Sequence, residues 1–136
     1  MKRILTTAAA AAIALTTMVV PASADQDMGA QAVSCLPDKN VNIHVQKRGN
    51  FIDAVGGFFN CDMPNTVGFT IQVQRKRVIG WADEVPRTGS WPRNQYIVTT
   101  FTCTGQGTKT YRAQMLGKIG SGAPWVRNSS EIKVTC

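Results

Sequence analysis

The sequence predicts an all-β domain: an antiparallel two-sheet sandwich pinned by two disulfides. Three observations predict it. Apolar and polar residues alternate with a period of two through most of the chain beyond residue 40, the signature of half-buried strands. Turn-forming residues interrupt that alternation at short intervals. Four widely spaced cysteines lie in the same region. A small closed β-barrel is the alternative arrangement of the same strands.

The N-terminus has the layout of an export signal. Lys2 and Arg3 precede an alanine-rich apolar stretch from Ile4 to Val20, Pro21 breaks it, and Ala22-Ser23-Ala24 offers a small-x-small cleavage site. The stretch is 17 residues long and holds four threonines, short of the roughly 20 apolar residues of a membrane span. The expected organisation is therefore a signal peptide over 1–24, a flexible lead-in over 25–34, and a disulfide-stabilised domain over 35–136, secreted to the extracellular space as a monomer. Cleavage after Ala24 leaves 112 residues of the 136, enough for one domain. It also takes two basic residues from a net charge of +7, leaving +5. That moderate charge favours an anionic surface or polymer as a neighbour and gives no sign of specific nucleic-acid binding.

Cys35, Cys61, Cys103 and Cys136 are separated by 26, 42 and 33 positions. Metal binding needs closer ligand pairs, so the set reads as a disulfide framework with no metal and no cofactor. Three pairings are possible; the sequential one, Cys35 with Cys61 and Cys103 with Cys136, closes two moderate loops. Each bond is then expected to stabilise by about 3–4 kcal/mol.

The strands follow in order. Val41 to Gln46 alternates strictly, and Lys47-Arg48-Gly49-Asn50 reads as a turn. Over Phe51–Asp62, Gly56-Gly57 reads as a bulge or a hairpin turn. Val67, Phe69, Ile71 and Val73 mark a one-faced strand. A basic turn around Arg75-Lys76-Arg77 leads to a short strand over Val78–Ala82. Tyr96 to Cys103 is rich in strand formers, with Ile97, Phe101 and Cys103 on one face. Thr108–Leu116 places Tyr111, Ala113 and Met115 together. Glu131–Cys136 puts Ile132, Val134 and Cys136 on one side. Cys103 and Cys136 thus both face inward, which supports their pairing.

The segment Gly107-Thr108-Lys109-Thr110-Tyr111-Arg112-Ala113 resembles the penultimate strand of immunoglobulin-like and fibronectin-like domains, with Ser130–Cys136 as its partner strand. Ala113 stands where antibody domains carry a sheet-bridging cysteine, so the resemblance is to an architecture shared with small secreted bacterial proteins. It implies an immunoglobulin-like sandwich and no activity.

Candidate catalytic groups have simpler explanations. His44 is the chain's one histidine and alternates outward with Asn42 and Gln46. Ser121 between Gly120 and Gly122 lacks the frame of a nucleophile elbow. Asp83-Glu84 are adjacent, so their carboxylates diverge on an extended chain. Gly117-Lys118-Ile119-Gly120-Ser121-Gly122 lacks the hydroxyl after its lysine that a phosphate loop needs. The Arg75-Lys76-Arg77 cluster reads as a solvated hairpin tip, or else as a grip on a polyanion. No catalytic residue is assigned.

Two long loops carry the strongest functional signal. One spans 83–94 with Pro86, Arg87, Trp91, Pro92 and Arg93; the other spans 117–130 with Pro124, Trp125 and Arg127. Loops of that length in a small domain commonly bind something. A tryptophan beside a proline suits stacking on a sugar or filling a partner pocket; otherwise it folds back to cap the sandwich. The expected ligand-binding residues are Trp91, Trp125, Arg87, Arg93 and Arg127. The expected function is a non-enzymatic binding module for a protein, a glycan or an anionic cell-surface polymer. The alternatives are an inhibitor of a secreted hydrolase, with Arg87 entering a trypsin-like pocket, and an enzyme of unrecognised type.

Overall fold

The computed structural model describes residues 34–136 apart from Met63 and Gly120. The leader expected over 1–24 and nearly all of the lead-in, 25–33, lie outside the described residues. No helix among the described residues is long and apolar enough to cross a membrane.

A single helical turn, α1 (Pro37–Asn40), leads into eight strands: β1 (Val41–Arg48), β2 (Phe51–Phe58), β3 (Thr66–Lys76), β4 (Trp81–Pro92), β5 (Ile97–Thr102), β6 (Thr108–Lys118), β7 (Pro124–Asn128) and β8 (Ile132–Thr135). They form two antiparallel sheets that do not close into a barrel. One has the order β1-β2-β5; the other has the order β4-β3-β6-β7, with β8 also on β6. Between them β7 and β8 form one interrupted edge strand along β6. β7 pairs with Gln114–Lys118 and β8 with Thr108–Tyr111. At the break the Ser129 hydroxyl accepts from the Ala113 amide (2.8 Å), and the Ser129 amide donates to the Ala113 carbonyl (2.9 Å). A side chain thus replaces one missing ladder bond.

The core follows the alternation. Ile52, Ala54 and Phe58 of β2 face Ile71 and Val73 of β3 and Tyr111, Ala113 and Met115 of β6, all buried. Cys35 bonds Cys61 and Cys103 bonds Cys136. The first bond ties the segment before α1 to the chain leaving β2; the second ties the end of β5 to the end of β8.

Four local expectations are corrected. Lys47 and Arg48 continue β1, and the turn shrinks to Gly49-Asn50. Gly56 and Gly57 form neither bulge nor turn, because β2 passes through both in unbroken register with β1, and Gly56 also pairs with Ile97 of β5. A Cβ on Gly56 would lie 2.4 Å from the Met115 sulfur across the core, so close sheet approach explains that glycine. The basic run is strand as far as Lys76, and the turn spans Arg77–Gly80, so Val78 and Ile79 form the tip and the strand expected over Val78–Ala82 begins only at Trp81.

The largest correction concerns the two loops. Residues 83–92 lie within β4, an edge strand paired along β3; residues 117–118 belong to β6 and 124–128 are β7. Edge strands are wetted along one side, so burial imposes little pattern on their sequence, and prolines are tolerated there. Pro86 sits at a β-bulge, where Val85 and Pro86 oppose Gln72 alone and Val85 takes φ 48°. Thr99 of β5 donates to the Val85 carbonyl (2.6 Å) and holds the bulge against the other sheet.

Candidate functional site

One end of the sandwich gathers aromatic side chains and an apolar cleft. Phe69 of β3, Gly89 of β4 and Gly117 of β6 stand in one row, with Trp125 of β7 paired to Gly117 and Trp91 two residues beyond Gly89. The bare glycines let both indoles lie flat: a Cβ at Gly89 would come 2.6 Å from Trp91, and one at Gly117 2.9 Å from Trp125. Phe58 packs edge-on against Trp125 (5.4 Å between centroids) and also meets Phe69 (5.9 Å). Both tryptophans are half-buried against the core, and neither indole N–H has a hydrogen-bond partner among the described residues.

The segment after Cys35 forms the outer wall. Asn40 is buried, and its Oδ1 accepts from the Leu36 amide (2.9 Å) while its Nδ2 donates to the carbonyls of Phe59 (2.9 Å) and Asn60 (3.0 Å). One side chain therefore locks the α1 turn to the end of β2. Between α1 and the β6–β7 connection lies an open cleft of about 330 Å³, lined mainly by Leu36, Pro37, Ile119, Ala123, Pro124 and Trp125. That is at the small end of ligand-sized pockets. Arg127 and Asp38 pair at its rim, and Arg127 Nε also donates to the Pro37 carbonyl (3.2 Å). The polar contribution to the cleft is thus a guanidinium and a carboxylate already joined to each other.

The five residues expected to bind a ligand are placed in three ways. Trp125 and Arg127 line the cleft. Trp91 sits at the same end, with the Arg87 guanidinium over its ring (4.6 Å) and donating to the Val98 carbonyl (2.8 Å), so Arg87 bridges the gap between β4 and β5. Arg93 lies beyond β4, where its amide donates to the Asn65 carbonyl (3.1 Å). Leu36, Asp38, Ile119 and Ala123 belong to the cleft without having been singled out. The exposed Leu36 beside a cysteine is the one local hint, and pairing across 90 residues brings the rest together.

Titratable groups elsewhere have structural partners. Asp53 is buried on β2, which raises its carboxyl. Hydrogen bonds from Arg48 (3.0 Å) and Thr100 (2.7 Å), with the Arg48 charge, outweigh that and hold it below its ordinary value. Tyr111 is pushed above its ordinary value, first by burial and then by Glu84, against the opposing pull of Arg75. His44 is exposed and meets Tyr96 edge-on at 5.8 Å. Arg75 is not part of an exposed basic tip: it turns inward, with Glu84 (2.8 Å) and Gln106 as its partners. Among the described residues no three metal-ligating side chains cluster. Compared with known proteins, the chain matches no family model, no curated protein and no solved structure.

Proposed function

We propose that the chain is an exported, non-enzymatic binding domain of immunoglobulin-like type whose cleft beside Trp125 receives an apolar side chain of a protein partner. The apolar lining of the cleft carries this reading. Leu36, Pro37, Ile119, Ala123 and Pro124 offer contact area and few hydrogen bonds. A sugar would require several convergent polar groups and an open indole face, whereas the Trp125 ring is engaged by Gly117 and Phe58. Two disulfides and the N-terminal apolar leader favour work in an oxidising space outside the cell.

Inhibition of a trypsin-like hydrolase is the weaker reading, because Arg87 lies within a strand and its guanidinium is held by Trp91 and Val98. Catalysis is weaker still, since the ionisable groups at the cleft are an ion pair.

A photo-crosslinking amino acid at position 36 tests the proposal. A single protein species should be captured from the medium or cell surface, and Leu36→Asp should abolish binding of that species while leaving the melting temperature unchanged. The same probe at position 85, on β4, should capture nothing. Equal capture from both positions, or selective retention on a glycan array that survives Leu36→Asp, overturns it.

A further inference from the structure

We propose that the β3–β4 hairpin tip inserts into the surface of an anionic lipid bilayer, at the end of the sandwich opposite the cleft. Val78 and Ile79 are 104% and 91% exposed, while among the described residues the next most exposed large apolar side chain, Tyr96, reaches 48%. They sit at the crest of a tight turn closed by the Arg77 amide donating to the Gly80 carbonyl (3.0 Å), with Gly80 at φ 70°. Such a turn calls for glycine at that position, and polar Asn, Asp or Ser are usual beside it. Two β-branched aliphatic residues there help neither the turn nor the core. Their side chains need a medium other than water.

The surroundings indicate which medium. Trp81 opens β4 directly below the tip, half-buried, with the Lys76 ammonium (5.7 Å) and the Arg112 guanidinium (4.1 Å) over its ring. Lys76 lies one residue past the last β3–β6 rung, Arg75–Tyr111, beside the Thr110–Lys133 pair of β6 and β8, while Arg77 and Lys109 are exposed at the same end. Glu131 offsets part of this charge by pairing with Lys76 at 3.5 Å. The order from the crest downward is aliphatic, then cationic with an indole. A segment lying in a bilayer surface has this order: apolar tips below the headgroups, an aromatic ring among them, and Lys and Arg against phosphates. Each cation near an anionic leaflet adds about fivefold to affinity. A soluble polyanion would use the cations and leave Val78 and Ile79 in water, so the aliphatic crest favours lipid over polymer.

The geometry leaves the cleft free. β3 runs from Thr66, beside the aromatic end, to Lys76, and 11 residues at about 3.3 Å each separate the two ends by roughly 35 Å. Docking by the tip would point the cleft away from the membrane.

The test is co-sedimentation with vesicles of phosphatidylcholine and phosphatidylglycerol (3:1) and of phosphatidylcholine alone, comparing the processed parent protein with Val78→Asp/Ile79→Asp. The parent should bind the mixed vesicles at least tenfold more tightly than the neutral ones. The double variant should lose at least tenfold on the mixed vesicles with an unchanged melting temperature, since neither side chain packs against the fold. Brominated lipid should quench the difference in tryptophan emission between the parent and Trp81→Phe. Absence of parent binding, equal binding by the double variant, or loss on Lys76→Gln/Arg77→Gln alone overturns the insertion; that last pattern is surface charge acting without the crest. A tip that binds a protein and no vesicle overturns it equally. Leu36→Asp should leave vesicle binding unchanged, so the outcome is independent of the proposal for the cleft.

Discussion

Gly117 of β6 stands directly opposite Trp125 of β7, and the indole covers the glycine where a side chain would otherwise be. A Cβ at position 117 would fall 2.9 Å from both the ring and the Gly68 carbonyl oxygen. Gly117→Ala should therefore destabilise by about 1–3 kcal/mol, because backbone on one side and a packed ring on the other both resist displacement. Gly68→Ala is the control. Its nearest neighbour is 3.9 Å away, so the gain in strand propensity should leave stability equal or slightly raised. Urea midpoints with tryptophan emission decide both; equal effects at the two positions would contradict the packing argument.

Asn40 satisfies one amide and two carbonyls with a single buried amide group. Asn40→Ala should lower stability by about 2–3 kcal/mol and release the Leu36–Asp38 wall of the cleft. Hydrogen exchange should rise first at the Leu36 amide. Unchanged protection there would mean the Cys35–Cys61 bond alone holds the segment.

Asp53 couples stability to acid. Its carboxyl titrates below the ordinary value of 3.8 in the folded chain, so the unfolded chain binds the proton more readily. The contribution is fully present above 3.8 and is lost as pH falls through the lower folded value. Asp53→Asn should cost about 1–3 kcal/mol near neutrality and flatten the acid limb of a denaturation series run from about pH 5 to about pH 2. An acid limb as steep as the parent's would assign the effect to other carboxylates.

Tyr111 is fully buried against Phe101 (6.0 Å), and its hydroxyl has no hydrogen-bond partner among the described residues. Removing an unpaired buried hydroxyl removes a desolvation penalty. Tyr111→Phe should leave the melting temperature equal or higher. A loss above about 1 kcal/mol would reveal a partner for that oxygen, such as a buried water.

The Cys103–Cys136 bond closes 33 residues, including all of β6 and β7. Replacing both cysteines by alanine should cost about 3–4 kcal/mol, mostly by freeing the unfolded chain. The β6–β8 pairing should fray first, because β8 is four residues long and lies at an edge. Exchange at Lys133 and Thr135 of β8 faster than along β6 would show it.

The sequence alone determined the all-β class and the inward set Val67, Phe69, Ile71, Val73, Tyr111, Ala113 and Met115. Each belongs to a strand buried on one face, where burial writes a period of two directly into the residues. Tertiary structure alone decided that 83–92 and 124–128 are edge strands, that Gly56 admits Met115, and that Leu36 meets Trp125 across a cleft. Edge strands owe their form to backbone bonds with a neighbour on one side only, and backbone bonds leave no side-chain signature. The cleft joins segments nearly a full domain apart in the chain, so its chemistry exists only once the sheets have set the distance between them.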